Sequence, residues 1–294
     1  MTRETVAVVV VTYNRAELLE TMLAGLARLD PAPDTVIVVD NASSDRTPEV
    51  LAAADVQVVR SEENLGGAGG FRLGVRTAYE QGHDRIWLMD DDVVPAPDCL
   101  GVLLSHDEDC LMAVREDARG NLAEYAATRF DLDHPWVLRP KTASVVTTYA
   151  RRSDMPPTVP LENVAFEGFM VRRRVVDRIG LPDDTFFIFY DDCDYAIRAR
   201  RAGFTIKAVR DAVLVRQLDF DQQHDLAGWK GYYMYRNLFA VHFRYGGTAL
   251  VRLKPWLLTV AVVVLSPLRG GRAEARNVTR ALRDARRMKA PPAR

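Results

Sequence analysis

Apolar residues recur in two alternating periods over roughly the first third of the chain. "TVAVVVVTYN" is a continuous β-branched run, the pattern of a strand buried on both faces. "RAELLETMLAGLARL" follows with helical spacing at Leu18, Leu19, Met22, Leu23, Leu26 and Leu29. "DTVIVVDNAS" predicts a second buried strand and "DRTPEVLAAA" a second helix. "VQVVRSEEN" predicts a third strand, and "GGAGGFRLGVRTAYEQG" a glycine-rich turn feeding a helix. "RIWLMDDD" predicts a fourth strand, with a helix in "APDCLGVLLSHD". Repeated strand–helix alternation predicts an α/β fold with a Rossmann-like, mostly parallel central sheet flanked by helices. Ligands of such sheets bind outside the carboxyl ends of the strands.

The pattern then loosens. Ser144–Ala150 ("SVVTTYA") reads as strand-like, while Phe169–Gly180 and Asp191–Phe204 read as helices. "TIKAVRDAVLV" offers one or two further strands. Near the end, Trp256–Leu265 is an apolar stretch broken only by Thr259, too short to span a bilayer. It suits either a packing helix or an interfacial segment. From Arg269 to Arg294 there are nine Lys or Arg against Glu274 and Asp284. This basic tail predicts peripheral contact with an anionic membrane, although a solvated helix face has the same composition.

Bulk properties narrow the class. The 294 residues suffice for one large α/β domain with an extension, and a formal net charge of −1 supplies no overall field for nucleic acid. Cys99, Cys110 and Cys193 have no paired spacing, which argues against a disulfide framework or zinc knuckle and fits a cytoplasmic setting. The apolar run Val6–Val11 lacks the length and cleavage site of a signal peptide and reads as a strand.

Four segments carry candidate chemistry. Asp90, Asp91 and Asp92 end the fourth strand, where burial of adjacent carboxylates is costly without a cation. Mg²⁺ or Mn²⁺ commonly takes one or two carboxylates and draws its other ligands from phosphate and water. Strand alternation assigns Asp92, helped by Asp90, to a metal–diphosphate and Asp91 to a sugar or ribose hydroxyl; a polar turn capping the next helix is the other reading. Asp40, at the tip of the second strand, suits a base or ribose, or an Asx turn. The glycines of "NLGGAGGFRLG" allow close backbone approach before a helix N-terminus, or simply a turn. In "FFIFYDDCDYAIRARRAG", Asp191, Asp192 and Asp194 are helix caps or a general base beside an aromatic wall.

"VVVTYNR", "VVDNASSD", "ENLGGAGGFRLG", "WLMDDDVVP" and "FFIFYDDCDYAIRARRAG" together resemble the family 2 glycosyltransferases, inverting enzymes with the GT-A fold. "NLGGAGGF", "YDDCDY" and "YYMYRN" are most similar to the bacterial galactofuranosyltransferases of cell-wall galactan. The resemblance covers about residues 5–245. It implies a GT-A domain over residues 1–245, with a nucleotide-sugar half (1–110) and an acceptor half (111–245), and a C-terminal helical extension over 246–294.

The resemblance also implies roles. Thr12, Asn14 and Asp40 would hold uridine; Asn64 and the loop from Gly66 and Gly67 to Gly70 would face diphosphate and sugar. Asp90, Asp91 and Asp92 would form the metal site, and Asp192 the general base, with Phe189, Tyr190 and Trp229 on the acceptor side. Where related enzymes often have a metal-binding His, this chain has Arg216 and Gln217; His224 is the nearby candidate ligand. The implied activity is metal-dependent, inverting hexosyl transfer from a UDP-sugar, first UDP-galactofuranose, to a lipid-linked glycan at the inner face of the plasma membrane. Alternatives are rhamnosyl transfer from dTDP-rhamnose and a non-catalytic sugar-nucleotide-binding protein. A nucleotidyltransferase would need a basic glycine-rich loop after the first strand, which is missing here.

Overall fold

The computed structural model describes residues 3–218, 226–266 and 272–288. Strands β1 (Val6–Thr12), β2 (Thr35–Asp40), β3 (Gln57–Arg60) and β4 (Arg85–Asp90) alternate with helices α1 (Ala16–Leu26), α2 (Thr47–Ala52) and α3 (Gly66–Glu80), as the periodicity predicts. Short β5 (Val93–Pro95), α4 (Cys99–Leu104) and β6 (Cys110–Glu116) follow. The middle holds β7 (Ala127–Phe130), β8 (Lys141–Ser144), α5 (Val145–Thr148), β9 (Thr158–Leu161), β10 (Phe169–Arg172) and α6 (Arg173–Ile179). Then come α7 (Asp191–Arg201), β11 (Ile206–Arg216), α8 (Trp229–Tyr245), α9 (Ala249–Leu265) and α10 (Arg272–Ala285).

The main sheet has the order β3-β2-β1-β4-β10-β6-β11-β5, with β9 also on β11. Strands β3, β2, β1, β4, β6 and β11 run one way; β10, β5 and β9 run the other. Every side chain of β1 is buried, and the pleat divides them. Ala7, Val9 and Val11 meet Phe71, Val75 and Ala78 of α3. Val6, Val8 and Val10 join the core of Leu19 and Met22 from α1 and Leu100 and Leu103 from α4. A third core gathers Phe239 and Val241 of α8, Val278 and Ala281 of α10, and Ile197 of α7.

Three expectations are corrected. Phe169–Arg172 is a strand, pairing with β4 and β6, and helix begins only at Arg173. Ser144–Ala150 contains a single helical turn, fixed by Ser144 and Thr147 in a reciprocal capping box. The glycine-rich segment is the first turns of α3 itself, because Gly70 and Gly74 let that helix lie against Val11 and Val9 of β1.

Candidate active site

The carboxyl ends of β1 and β4 open into a cavity of about 490 Å³. Thr12, Asn64, Gly66, Gly67 and the three acids Asp90–Asp92 line it, together with Glu167, Phe189, Asp192 and Trp229. Strand geometry ends at Asp90, so the expected alternation of the three acids does not apply: Asp91 and Asp92 sit in a turn, and all three border the cavity.

The acids are held differently. Asp91 accepts from Thr12 Oγ1 at 2.7 Å and from Arg15 Nη1 at 2.9 Å. Both its oxygens are engaged, so it braces the turn between β1 and β4. Asp92 Oδ2 accepts from the same guanidinium at 3.2 Å, whereas the buried Oδ1 has no hydrogen-bond partner. Gln217 fixes the turn's backbone: its N–H donates to the Asp92 carbonyl at 2.8 Å and its side chain to the Asp91 carbonyl at 3.2 Å. Burial, then the charges of Glu167, Asp92 and Asp91, push the Asp90 carboxyl well up. Burial and Glu167 raise Asp92 against the pull of Arg15 and Arg216.

Glu167 has no counterpart among the sequence candidates. Its Oε2 accepts from Arg115 Nη1 at 2.6 Å and lies 3.6 Å from Arg216 Nη2. Arg115 in turn donates Nε and Nη2 to Glu124 at 3.0 and 2.6 Å. Burial works to raise the Glu167 pKa, but Arg115 and Arg216 outweigh it and hold the group below the usual carboxylate range. An ionised Glu167 thus stands between the triple acid and Asp192.

Asp192 is half-buried in the first turn of α7, and its Oδ1 accepts from the Cys193 N–H at 2.6 Å. Burial, helped by Glu167, pushes its pKa up to about 6. Its neighbour Asp194 serves the fold: fully buried, it accepts from Arg198, Arg244 and the Tyr245 hydroxyl at 2.8, 2.9 and 2.6 Å.

The turn before α7 is unusual. Phe187, Phe189 and Tyr190 all have positive φ, a costly backbone for such residues. Asn237 of α8 holds it, its amide nitrogen within 2.9 Å of the carbonyls of Phe186, Ile188 and Phe189. Gly66 locks the other flank: it has φ +70°, and the Ala68 N–H donates to the Phe187 carbonyl at 3.1 Å.

Three sequence candidates, Asn14, Asp40 and Tyr190, lie off the cavity wall. Asp40 accepts from Ser43 N–H and Arg60 Nη1, both at 2.9 Å, and Asn14 Oδ1 accepts from Ser44 N–H at 2.7 Å. Tyr190 packs against the third core. His224 lies outside the described residues.

The glycosyl transferase family 2 profile matches residues 7–180, more than half of the chain. The chain belongs to this family. It is 33% identical over 236 residues to the galactofuranosyltransferase GlfT1 of Mycolicibacterium smegmatis, covering 79% of this chain and 77% of that one. To GlfT1 of Mycobacterium tuberculosis it is 33% identical over 225 residues, 74% of this chain and 72% of that one. Among solved structures, mannosyltransferase PcManGT from Pyrobaculum calidifontis, in complex with GDP-Man and Mn²⁺, superimposes with TM-score 0.56 at 20% identity, over 99% of this chain and 77% of its own. That likeness carries the fold, a GT-A type sheet with helices at the C-terminus. The protein is a glycosyltransferase.

Proposed function

We propose that this glycosyltransferase moves galactofuranose from UDP-galactofuranose, with inversion, to a hydroxyl of a lipid-linked glycan in cell-wall or surface polysaccharide synthesis. The observation that carries the reading is one cavity lined both by the Asp90–Asp92 cluster and by Asp192, whose pKa is about 6. Identity to two galactofuranosyltransferases over most of the chain supports the sugar.

A carboxylate with that pKa is ionised at neutral pH yet basic enough to take a proton in the transition state. In this mechanism Asp192 accepts the proton of the acceptor hydroxyl. The hydroxyl oxygen then forms a bond to the anomeric carbon from the face opposite UDP. The bond from that carbon to the β-phosphate oxygen breaks, and UDP leaves with the electron pair. Phe189 and Trp229 form the acceptor wall, and Gly66 and Gly67 offer backbone to the donor. Residues 1–110 thus supply the donor side and residues 111–245 the acceptor side.

Among the described residues no group of three His, Cys, Asp or Glu could hold a metal. The site nevertheless fits a divalent cation: Asp92 Oδ1 is buried and unpartnered, and the acids around it resist ionisation together. Asp92 and Asp90 would hold Mn²⁺ or Mg²⁺, with donor oxygens and water completing the shell. Such an ion supplies positive charge to the departing diphosphate. Among the described residues no helix is long and apolar enough to cross a membrane.

The test compares nucleotide release from UDP-galactofuranose and dTDP-rhamnose, with and without glycan acceptor. Acceptor-dependent release of UDP supports the reading. A preference for dTDP-rhamnose replaces the sugar, and no acceptor-dependent release from either donor rejects the reading.

A further inference from the structure

Helix α9 is amphipathic in the wrong sense for water. The face it buries consists of Val251, Pro255, Thr259 and Val262, while Leu250, Leu253, Leu257, Val260 and Val264 form an exposed stripe opposite. Val260 and Val264 are 62% and 67% exposed. A second apolar feature is pinned beside this helix. Lys254 donates to the carbonyls of His134 and Val137 at 2.9 and 2.7 Å. The loop so anchored presents Trp136 and Leu138, 89% and 92% exposed. Isolated surface leucines need no explanation, but a stripe joined by an exposed tryptophan does.

The rim of this surface is basic. Arg272, Arg276, Arg280 and Arg283 of α10 line a shallow groove of about 510 Å³ whose remaining wall includes Val263 of α9. The two acids of α10 are placed differently. Glu274 is buried against the Tyr235 hydroxyl, whereas Asp284 accepts from Tyr232 and Arg283 and lies 3.6 Å from Arg280, answering part of the row's charge. The row of four guanidinium groups keeps a net positive charge beside an apolar face. That arrangement suits a surface with phosphate anions above hydrocarbon, and it disfavours a second copy, whose own arginines would meet these across a two-fold contact.

We propose that the outward face of α9, the Trp136–Leu138 loop and the arginine row of α10 together dock on an anionic phospholipid bilayer, with α9 lying in the plane of the interface. The proposal rests on the membrane-side acceptor in the function proposed above, and extends it with a location. Tyr232, one turn along α8 from the cavity residue Trp229, bonds Asp284 of α10 and stacks 4.6 Å from the Arg280 guanidinium. Docking through α10 therefore brings lipid to the helix that opens the acceptor wall.

The experiment is flotation of the full chain with phosphatidylcholine vesicles, with and without phosphatidylglycerol, at low and high salt. Binding to the anionic vesicles, weakened by salt, is expected. Arg272→Gln with Arg276→Gln lowers it roughly 30-fold. Trp136→Ser with Leu138→Ser, both on exposed positions, lowers it while UDP release with a water-soluble acceptor stays at the wild-type rate. Failure of the sugar-transfer reading leaves vesicle binding intact, so the two are separable. Equal binding to both vesicle types, or wild-type binding by the Trp136→Ser/Leu138→Ser chain, overturns the proposal. A dimer that Val260→Ser with Val264→Ser splits, without change in vesicle binding, also overturns it.

Discussion

A β-carbon on Gly66 would stand 2.1 Å from the carbonyl oxygen of Phe187. The two residues join the start of α3 to the turn that leads into α7 and Asp192, and they do so only because position 66 has no side chain. Gly66→Ala meets that carbonyl and also the φ of +70°, where an L side chain costs about 1–3 kcal/mol. A lower Tm and weaker UDP binding are expected. Gly67→Ala, with nothing within 4 Å of its β-carbon, should keep its Tm; equal Tm values for the two variants would remove the coupling.

Asp192 and Asp194 share one helical turn and separate in their effects. Asp192→Asn keeps shape and hydrogen bonding but cannot take a proton, so kcat should fall by about 10²–10⁴ while UDP affinity and Tm hold. Asp194→Ala leaves Arg244 and Arg198 facing a lost carboxylate in a buried site. It should cost about 3–5 kcal/mol of stability. Calorimetric unfolding beside initial rates distinguishes the two; a stable, inactive Asp194→Ala would reverse their roles.

The first four strands were legible because their signals are local: β1 and β2 are β-branched runs that identify themselves without distant information. Phe169–Arg172 misled because "FMVRRRVVDRIG" keeps helical spacing throughout, and only the ladders to Leu88 and Met112 make its start a strand. The Asp triplet announced itself, but the capture of Asp91 by Thr12 and Arg15 depends on neighbours some eighty positions away in the chain. Glu167 was invisible for the same reason. It is one acid in no motif, and its importance comes from Arg115 and Arg216, brought beside it by β6 and β11.

Asp92 has an engaged oxygen and an unpartnered one, and only the second is offered to a cation. Asp92→Asn weakens the cation-holding charge while retaining an oxygen. Calorimetry of UDP binding with Mn²⁺ should then show a loss of at least tenfold in affinity, about 1.4 kcal/mol. EDTA should bring the wild type near the same level and change the variant little. UDP binding that ignores both EDTA and Asp92→Asn would make the cluster structural.

Glu167 shifts the working pH that burial of Asp192 establishes. The groups facing Asp192 are Glu167, which raises its pKa, and Arg115, Lys141 and the Cys193 N–H, which lower it; burial is the largest influence and raises it. As a base Asp192 must be ionised, so kcat should rise with pH through about 6 and then level off. Glu167→Gln deletes a negative neighbour and leaves Arg115 with less of its charge answered, and both changes favour the Asp192 carboxylate. The rising limb should therefore move to lower pH, and the plateau should fall several-fold because the base is weaker. A purely structural Glu167 would lower activity at every pH without moving the limb, and a limb displaced upward would contradict the sign of the interaction.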